Sequence, residues 1–143
     1  MASFNKFHCF VQDVANALHD MKTGTAQVYK VYLTNTAPVA TNTVYNAPAD
    51  LAAGNGYAAG GNSIGTITGA QTTGTFKFSG GTDPSWTASG GSIGPFQYAV
   101  LYNSTSSTKP LIGWWDYGTA VTLTNGNTFI IDLDQANGIL TIT

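Results

Sequence analysis

An all-β domain, either a β-sandwich or a jelly-roll-like fold, with one N-terminal amphipathic helix is the architecture the sequence predicts. Three observations predict it. From Ala26 onward, β-branched and aromatic runs recur and are broken every few residues by Gly, Asn, Pro or Asp. No alternation of strand-like and helix-like segments runs through the chain, which argues against a parallel α/β sheet. Residues 6–20 stand apart, with no Gly or Pro and with Phe7, Phe10, Val11, Val14 and Leu18 at helical spacings of three and four.

The elements follow in order. Lys6 to Asp20 reads as a helix of about three turns, capped by Asn5 or Ser3 and stopped at Thr23-Gly24. Residues 1–24 are therefore expected to form a helical assembly segment, and 25–143 a single β-sandwich domain. Ala26 to Asn35 reads as a strand with Tyr29, Val31 and Leu33 on one face and Val28, Lys30 and Tyr32 on the other. A Pro-containing link covers Thr36 to Thr43, and Pro48 fits the start of a helical turn over 47–51. Short strands are expected at Ser63–Thr68, Thr75–Phe78 and Trp86–Ala88. In Phe96 to Asn103, Phe96, Tyr98, Val100 and Tyr102 alternate with Gln97, Ala99, Leu101 and Asn103; both faces are largely apolar, so this strand should be central and covered on both sides. Leu111–Tyr117, Ala120–Thr124, Thr128–Asp134 and Ile139–Thr143 complete the set. Asn125-Gly126 and Asn137-Gly138 sit where hairpin turns are expected.

Composition narrows the function. The 143 residues are 43% hydrophobic, enough for one core, yet only 8% charged, against roughly 25% in a typical soluble domain. All five cations are Lys and all seven anions are Asp. A surface kept in solution by hydroxyls, amides and backbone repels itself weakly and packs readily against other protein. The net charge of −2, with Lys6, Lys22, Lys30, Lys77 and Lys109 scattered along the chain, gives no phosphate-binding face, so no nucleic-acid partner is expected. No apolar run reaches the ~20 residues of a membrane span, and Met1 to Cys9 lacks the pattern of a signal peptide, so no membrane is expected either. Cys9 is the only cysteine, which excludes an intrachain disulfide and fits a reducing compartment. Asn103-Ser104-Thr105 matches a glycosylation sequon but reads as a polar turn.

Few motifs in the chain approach catalytic or metal-binding chemistry. Gly90-Gly91-Ser92-Ile93-Gly94 has the spacing of a nucleophile elbow, but Pro95 and a strand follow where a helix is required. His8 and His19 lie eleven residues apart, too far along one helix to hold one metal ion. Asp132 and Asp134, with Asp116 able to join them, have the oxygen chemistry that suits Ca²⁺, but a solvated strand edge is the favoured reading. The expectation is a protein that is not an enzyme, with no catalytic residue, cofactor or metal. What remains concerns contact. Adjacent Trp114 and Trp115 must point to opposite faces of a strand, so one enters the core and the other is left for a partner or a loop. Tyr57 sits in a Gly-rich loop, Phe7, Phe10 and Val11 lie on the N-terminal helix, and Phe4 just precedes it. These seven form the candidate protein-contact set.

Several stretches, taken in order, carry a resemblance. They are Met1-Ala2-Ser3-Phe4-Asn5-Lys6-Phe7, Leu33-Thr34-Asn35-Thr36-Ala37-Pro38 and Ala53-Gly54-Asn55-Gly56-Tyr57 with Gly60-Gly61. Trp86 through Phe96, Tyr98 through Asn103 and Leu111 through Gly118 follow. Together the chain resembles small structural proteins of tailed bacteriophages that decorate or cement the capsid. The resemblance implies a virion protein on the outer capsid surface, assembled in the host cytoplasm. It would bind the major capsid protein and itself, a homo-trimer ahead of a dimer. A tail or head–tail component, or a carbohydrate-binding β-sandwich using Trp114, Trp115 and Tyr57, are the alternatives. Deleting Ala2 to Leu18 is expected to leave a folded monomer that no longer joins capsids.

Overall fold

The computed structural model describes residues 2–143. Its strands are β1 (Phe4–Lys6), β2 (Tyr29–Thr34), β3 (Asn62–Ser63), β4 (Thr68–Thr72), β5 (Thr75–Ser79), β6 (Ser85–Thr87), β7 (Ile93–Asn103), β8 (Leu111–Leu123), β9 (Thr128–Ile130) and β10 (Leu140–Ile142), with one helix, α1 (Cys9–Ala15). A single 3-10 turn spans Ala47–Ala49, with Pro48 inside it. The strands form a sandwich-like all-β fold: a five-stranded antiparallel sheet, β1-β8-β7-β2-β3, a three-stranded sheet, β10-β5-β4, and the pair β6-β9. Among the described residues, no helix is long and apolar enough to cross a membrane.

The five-stranded sheet carries a separate core on each face. On one face, Tyr29, Val31 and Leu33 of β2, Ala99 and Leu101 of β7 and Trp115 of β8 pack with Phe78 of β5, Trp86 of β6 and Phe129 of β9. Tyr29 meets Phe78 edge-on at 5.3 Å, and Phe96 meets Phe129 edge-on at 4.9 Å. On the other face, Tyr32, Val100, Tyr102 and Leu111 gather around Phe7, with Tyr45 and Trp114 against them. The link following β2 crosses this second face; its Tyr45 ring stacks on Tyr102 at 4.9 Å. β7, paired to β8 and β2, is thus central and covered on both sides, as its doubly apolar pattern predicts.

Bulges decide which face several residues take. The register of β7 against β8 shifts between Phe96 and Tyr98, so Phe96 turns into the first core, away from the face of Val100 and Tyr102 that strict alternation assigns it. On β8 the same irregularity sets four residues, 117–120, against Gln97 alone, between the pairs Phe96–Val121 and Tyr98–Asp116. The expected strands 111–117 and 120–124 are therefore one strand with an outward arc. Asn125-Gly126 and Asn137-Gly138 are turns with glycine at positive φ, but neither closes a hairpin, because β9 pairs with β6 and β10 with β5. The expected strand 128–134 stops at Ile130.

The N-terminal segment corrects the expected division at residue 24. Helix α1 is only seven residues long, and Phe4–Lys6 is an edge strand on β8. Phe7 is 1% exposed and Phe10 3%, one in each core. Asn103, fully buried at the end of β7, donates from Nδ2 to the Leu18 carbonyl at 3.0 Å and to Gln27 Oε1 at 2.8 Å, which ties the segment down further. Asn103 is thus an internal brace, and its Oδ1 also accepts the N–H groups of Thr105 (3.1 Å) and Ser106 (3.3 Å), so the expected polar turn is built on a buried side chain. Removing Ala2 to Leu18 strips a strand and two core aromatics, so a folded monomer is no longer the expected product. Gly113 makes the docking of β1 possible: a Cβ there would lie 2.2 Å from the Phe4 ring and 2.5 Å from the Asn5 carbonyl oxygen.

Candidate interaction surfaces

Three depressions flank the sheet, and each takes part of its lining from a different element. The first, of about 370 Å³, opens between the 36–46 link and the second core and is lined by Phe7, Tyr32, Tyr45, Leu111 and several Thr. Beneath it Asp50 gathers the link. Its carboxylate accepts the hydroxyls of Tyr45 (2.8 Å) and Tyr57 and the Gly60 N–H (2.5 Å). Tyr57 also accepts the Leu33 N–H at 2.9 Å, and Tyr102 donates to the Gly60 carbonyl at 2.9 Å. Burial, reinforced by the bond to Asp50, pushes the Tyr45 and Tyr57 phenols far above their ordinary range; burial, then the Asp50 charge, pushes Tyr102 up to about 12. These phenols stay protonated and act as donors that fasten the loop.

The second depression, about 590 Å³, lies under the arc of β8 and is lined by Ala2, Trp115, Asp116, Tyr117, Ile130 and Asp132 among others. Tyr117 is 42% exposed, with its ring 5.0 Å from Phe129, and Ile130 is 55% exposed. Asp116 Oδ1 accepts Gln97 Nε2 at 3.0 Å and the Gly118 N–H at 2.7 Å, and these two bonds hold its carboxyl below the usual carboxylate range. Asp134 is not part of this depression; its carboxylate accepts the backbone and side-chain N–H groups of Asn137 and closes a local turn. Among the described residues, no three metal-ligating side chains converge.

The third depression is a groove of about 510 Å³ between the N-terminal segment and β10. Phe4, Lys6, Phe10, Val11 and Val14 form one wall, and residues 140–143 the other. Val11, at 59%, is the most exposed large apolar side chain in the described chain.

The seven candidate contact residues do not form one surface. Phe7 packs on Trp114 at 4.5 Å in the second core, and Phe10 lies beside His19 at 5.5 Å in the first. Tyr57 is an internal hydrogen-bonding plug. Trp114 and Trp115 do take opposite faces, but each face has its own core: Trp115 is buried, and Trp114 is half-covered by Phe7. Phe4, half-buried on Trp115, and Val11 reach the third groove. Tyr117 and Ile130 were missed by sequence reasoning. The signal for Tyr117 was its place before Gly118, whose positive φ (+79°) turns the chain outward. Ser92 leads directly into β7 and accepts Asn55 Nδ2 through its carbonyl, so it stands at a strand entry and not at a helix N-terminus. Searches against protein-family profiles, curated proteins and solved structures give no match.

Proposed function

We propose that this chain is a non-enzymatic virion structural protein that decorates or cements the capsid of a tailed phage by binding the major capsid protein, working as a homo-oligomer on the outer surface. One observation carries the reading: large apolar side chains stand exposed in separate depressions of a surface with few charges. Val44 lines the first, Tyr117 and Ile130 the second, and Val11 the third. Apolar side chains gain by leaving water and a background with few charges incurs little desolvation penalty on docking, and several modest contacts repeated over a lattice add up to firm attachment. The resemblance of the sequence to phage structural proteins supports the same reading. The test is quantitative protein analysis of purified virions, with incorporation of a Tyr117→Ser, Ile130→Ser double variant measured beside the native chain. A copy number on the scale of the capsid lattice and loss of the variant from particles are expected. A few copies per particle would favour a tail or head–tail component, and absence from particles would end the proposal.

The second depression supports one alternative. An exposed Tyr117 ring beside the Asp116 and Asp132 carboxylates offers an apolar face and hydroxyl acceptors, the chemistry that suits a sugar ring. Saturable quenching of tryptophan fluorescence by a saccharide, lost in Tyr117→Ser, would favour this reading; Trp115 lines the same depression.

A further inference from the structure

We infer that the outer edge of β1 is a strand-acceptor site, which takes an extended segment of a partner protein carrying a carboxylate. The direction of the backbone groups comes first. The Phe7 N–H donates to the Ile112 carbonyl at 3.1 Å, and the register pairs Asn5 with Trp114. Hydrogen-bonding residues alternate along an antiparallel strand, so Asn5 and Phe7 turn their N–H and C=O groups to β8. Phe4 and Lys6 turn theirs away from the sheet. Among the described residues, β1 pairs with no second strand, and neither Phe4 nor Lys6 has another backbone partner.

A groove adjoins this edge. Phe4 and Lys6 line the third groove while Asn5 does not, as expected where alternate side chains of a strand share one face, so the groove adjoins β1 on the face that carries Phe4 and Lys6. Across it lie four consecutive residues, 140–143, of the edge strand β10 and its end, and Phe10, Val11 and Val14 supply apolar lining. An extended segment laid along β1 spans about 10 Å for three residues. It would satisfy the free donors and acceptors of Phe4 and Lys6 and set alternate side chains against Val11 and Val14.

Charge selects the occupant. Lys6 is exposed, carries the only charged side chain lining the groove, and makes no ion pair among the described residues. Two copies joined through β1 would bring Lys6 close to its own counterpart, the usual way an edge lysine discourages self-pairing. A partner strand with an Asp or Glu meets no such repulsion and gains a charge-assisted bond. Binding at this edge is independent of whether the chain belongs to a virion, and its test needs no particle.

The test uses the full chain and a fluorescein-labelled octapeptide of alternating Val and Thr with one central Asp, read by fluorescence anisotropy beside the same peptide carrying Lys. The Asp peptide is expected to bind saturably and about tenfold or more tighter than the Lys peptide. Lys6→Gln removes the ammonium alone, and Lys6→Pro removes the ammonium and an outward N–H while leaving the β1–β8 ladder intact; Lys6→Pro should bind the Asp peptide about tenfold or more weaker than Lys6→Gln while the cooperative unfolding transition is retained. Lys6→Asp, which keeps every backbone group, should reverse the preference between the two peptides. By NMR, the peptide should slow amide exchange at Phe4 and Lys6 and leave Asn5 and Phe7 as they were. No saturable binding, equal affinity for the two peptides, or the same affinity in folded Lys6→Pro and Lys6→Gln proteins would overturn the inference.

Discussion

Lowering the pH from 7.5 to 4.5 should destabilise the fold through one side chain, His19. Its ring is 7% exposed and lies beside Phe10 at 5.5 Å and Tyr29 at 6.3 Å. Neither ring nitrogen has a hydrogen-bond partner among the described residues. Burial among these rings penalises the imidazolium and brings the pKa down from 6.5 to about 4, against a weaker opposing pull from the Asp13 carboxylate. Above pH 6.5 the folded and unfolded chains both hold a neutral His19, and the full stability is present. Between 6.5 and 4 only the unfolded chain takes up the proton, so stability falls by about 1.4 kcal/mol per pH unit and levels off below 4. The whole excursion is about 3 kcal/mol, a large part of the 5–15 kcal/mol that typically holds a domain together. The assay is urea unfolding followed by tryptophan fluorescence at pH 7.5, 5.5 and 4.5, for the native chain and for His19→Phe. Asp20, Asp116 and Asp134 have depressed pKa values, and their contributions fade only as the pH drops from about 3.8 downward, mostly below this window. The Phe variant should lose most of the slope and be the more stable protein at pH 4.5. Equal slopes in the two proteins would refute the reasoning.

Three further outcomes are expected. Tyr57→Phe leaves the buried Leu33 N–H and one Asp50 oxygen without their partner, and should cost about 1–3 kcal/mol in urea unfolding at pH 7.5. Gly113→Ala puts a methyl group into the Phe4 ring and the Asn5 carbonyl; it should release β1, read as new cleavage ahead of Cys9 in limited proteolysis and as loss of protection at the Asn5 and Phe7 amides. Burial, followed by the nearby Asp13, pushes the Cys9 thiol up to about 11, so at pH 8 it should react with iodoacetamide about a hundredfold more slowly than a thiol of ordinary pKa, and recover in urea.

The parts of the fold written in local pattern were legible in the sequence. β2 shows Tyr29, Val31 and Leu33 facing one core and Tyr32 the other, and β7 is doubly apolar because both of its faces are covered. What escaped depends on contacts distant in sequence. Phe4–Lys6 continues the helical spacing of the residues after it, yet the open edge of β8 draws it into a strand; helix α1 then ends at Ala15, and Ala17 adopts positive φ. The β4–β5 hairpin turns through Thr73-Gly74, both at positive φ, and a β-branched threonine is a poor marker for such a turn. The candidate contact set failed as a surface for a related reason. Six of its seven members are aromatic, and large rings are what two cores on a small chain consume first. Tyr117 and Ile130 remain outside because the arc at 117–120 lifts β8 away from β7 and β9 stops at Ile130, facts set by pairing and not by neighbouring residues.

The adjacent tryptophans of β8 have a practical consequence. Trp114 senses the layer built from Phe7 and Tyr32, while Trp115 senses the opposite layer shared with Phe4. Replacing Trp114 with Phe leaves Trp115 and Trp86 as optical reporters of the first layer alone, and replacing Trp115 and Trp86 together leaves Trp114 as the reporter of the second. Following the two proteins through the same denaturant series would reveal whether the layers come apart together or in sequence, although both are built on the one shared strand β8.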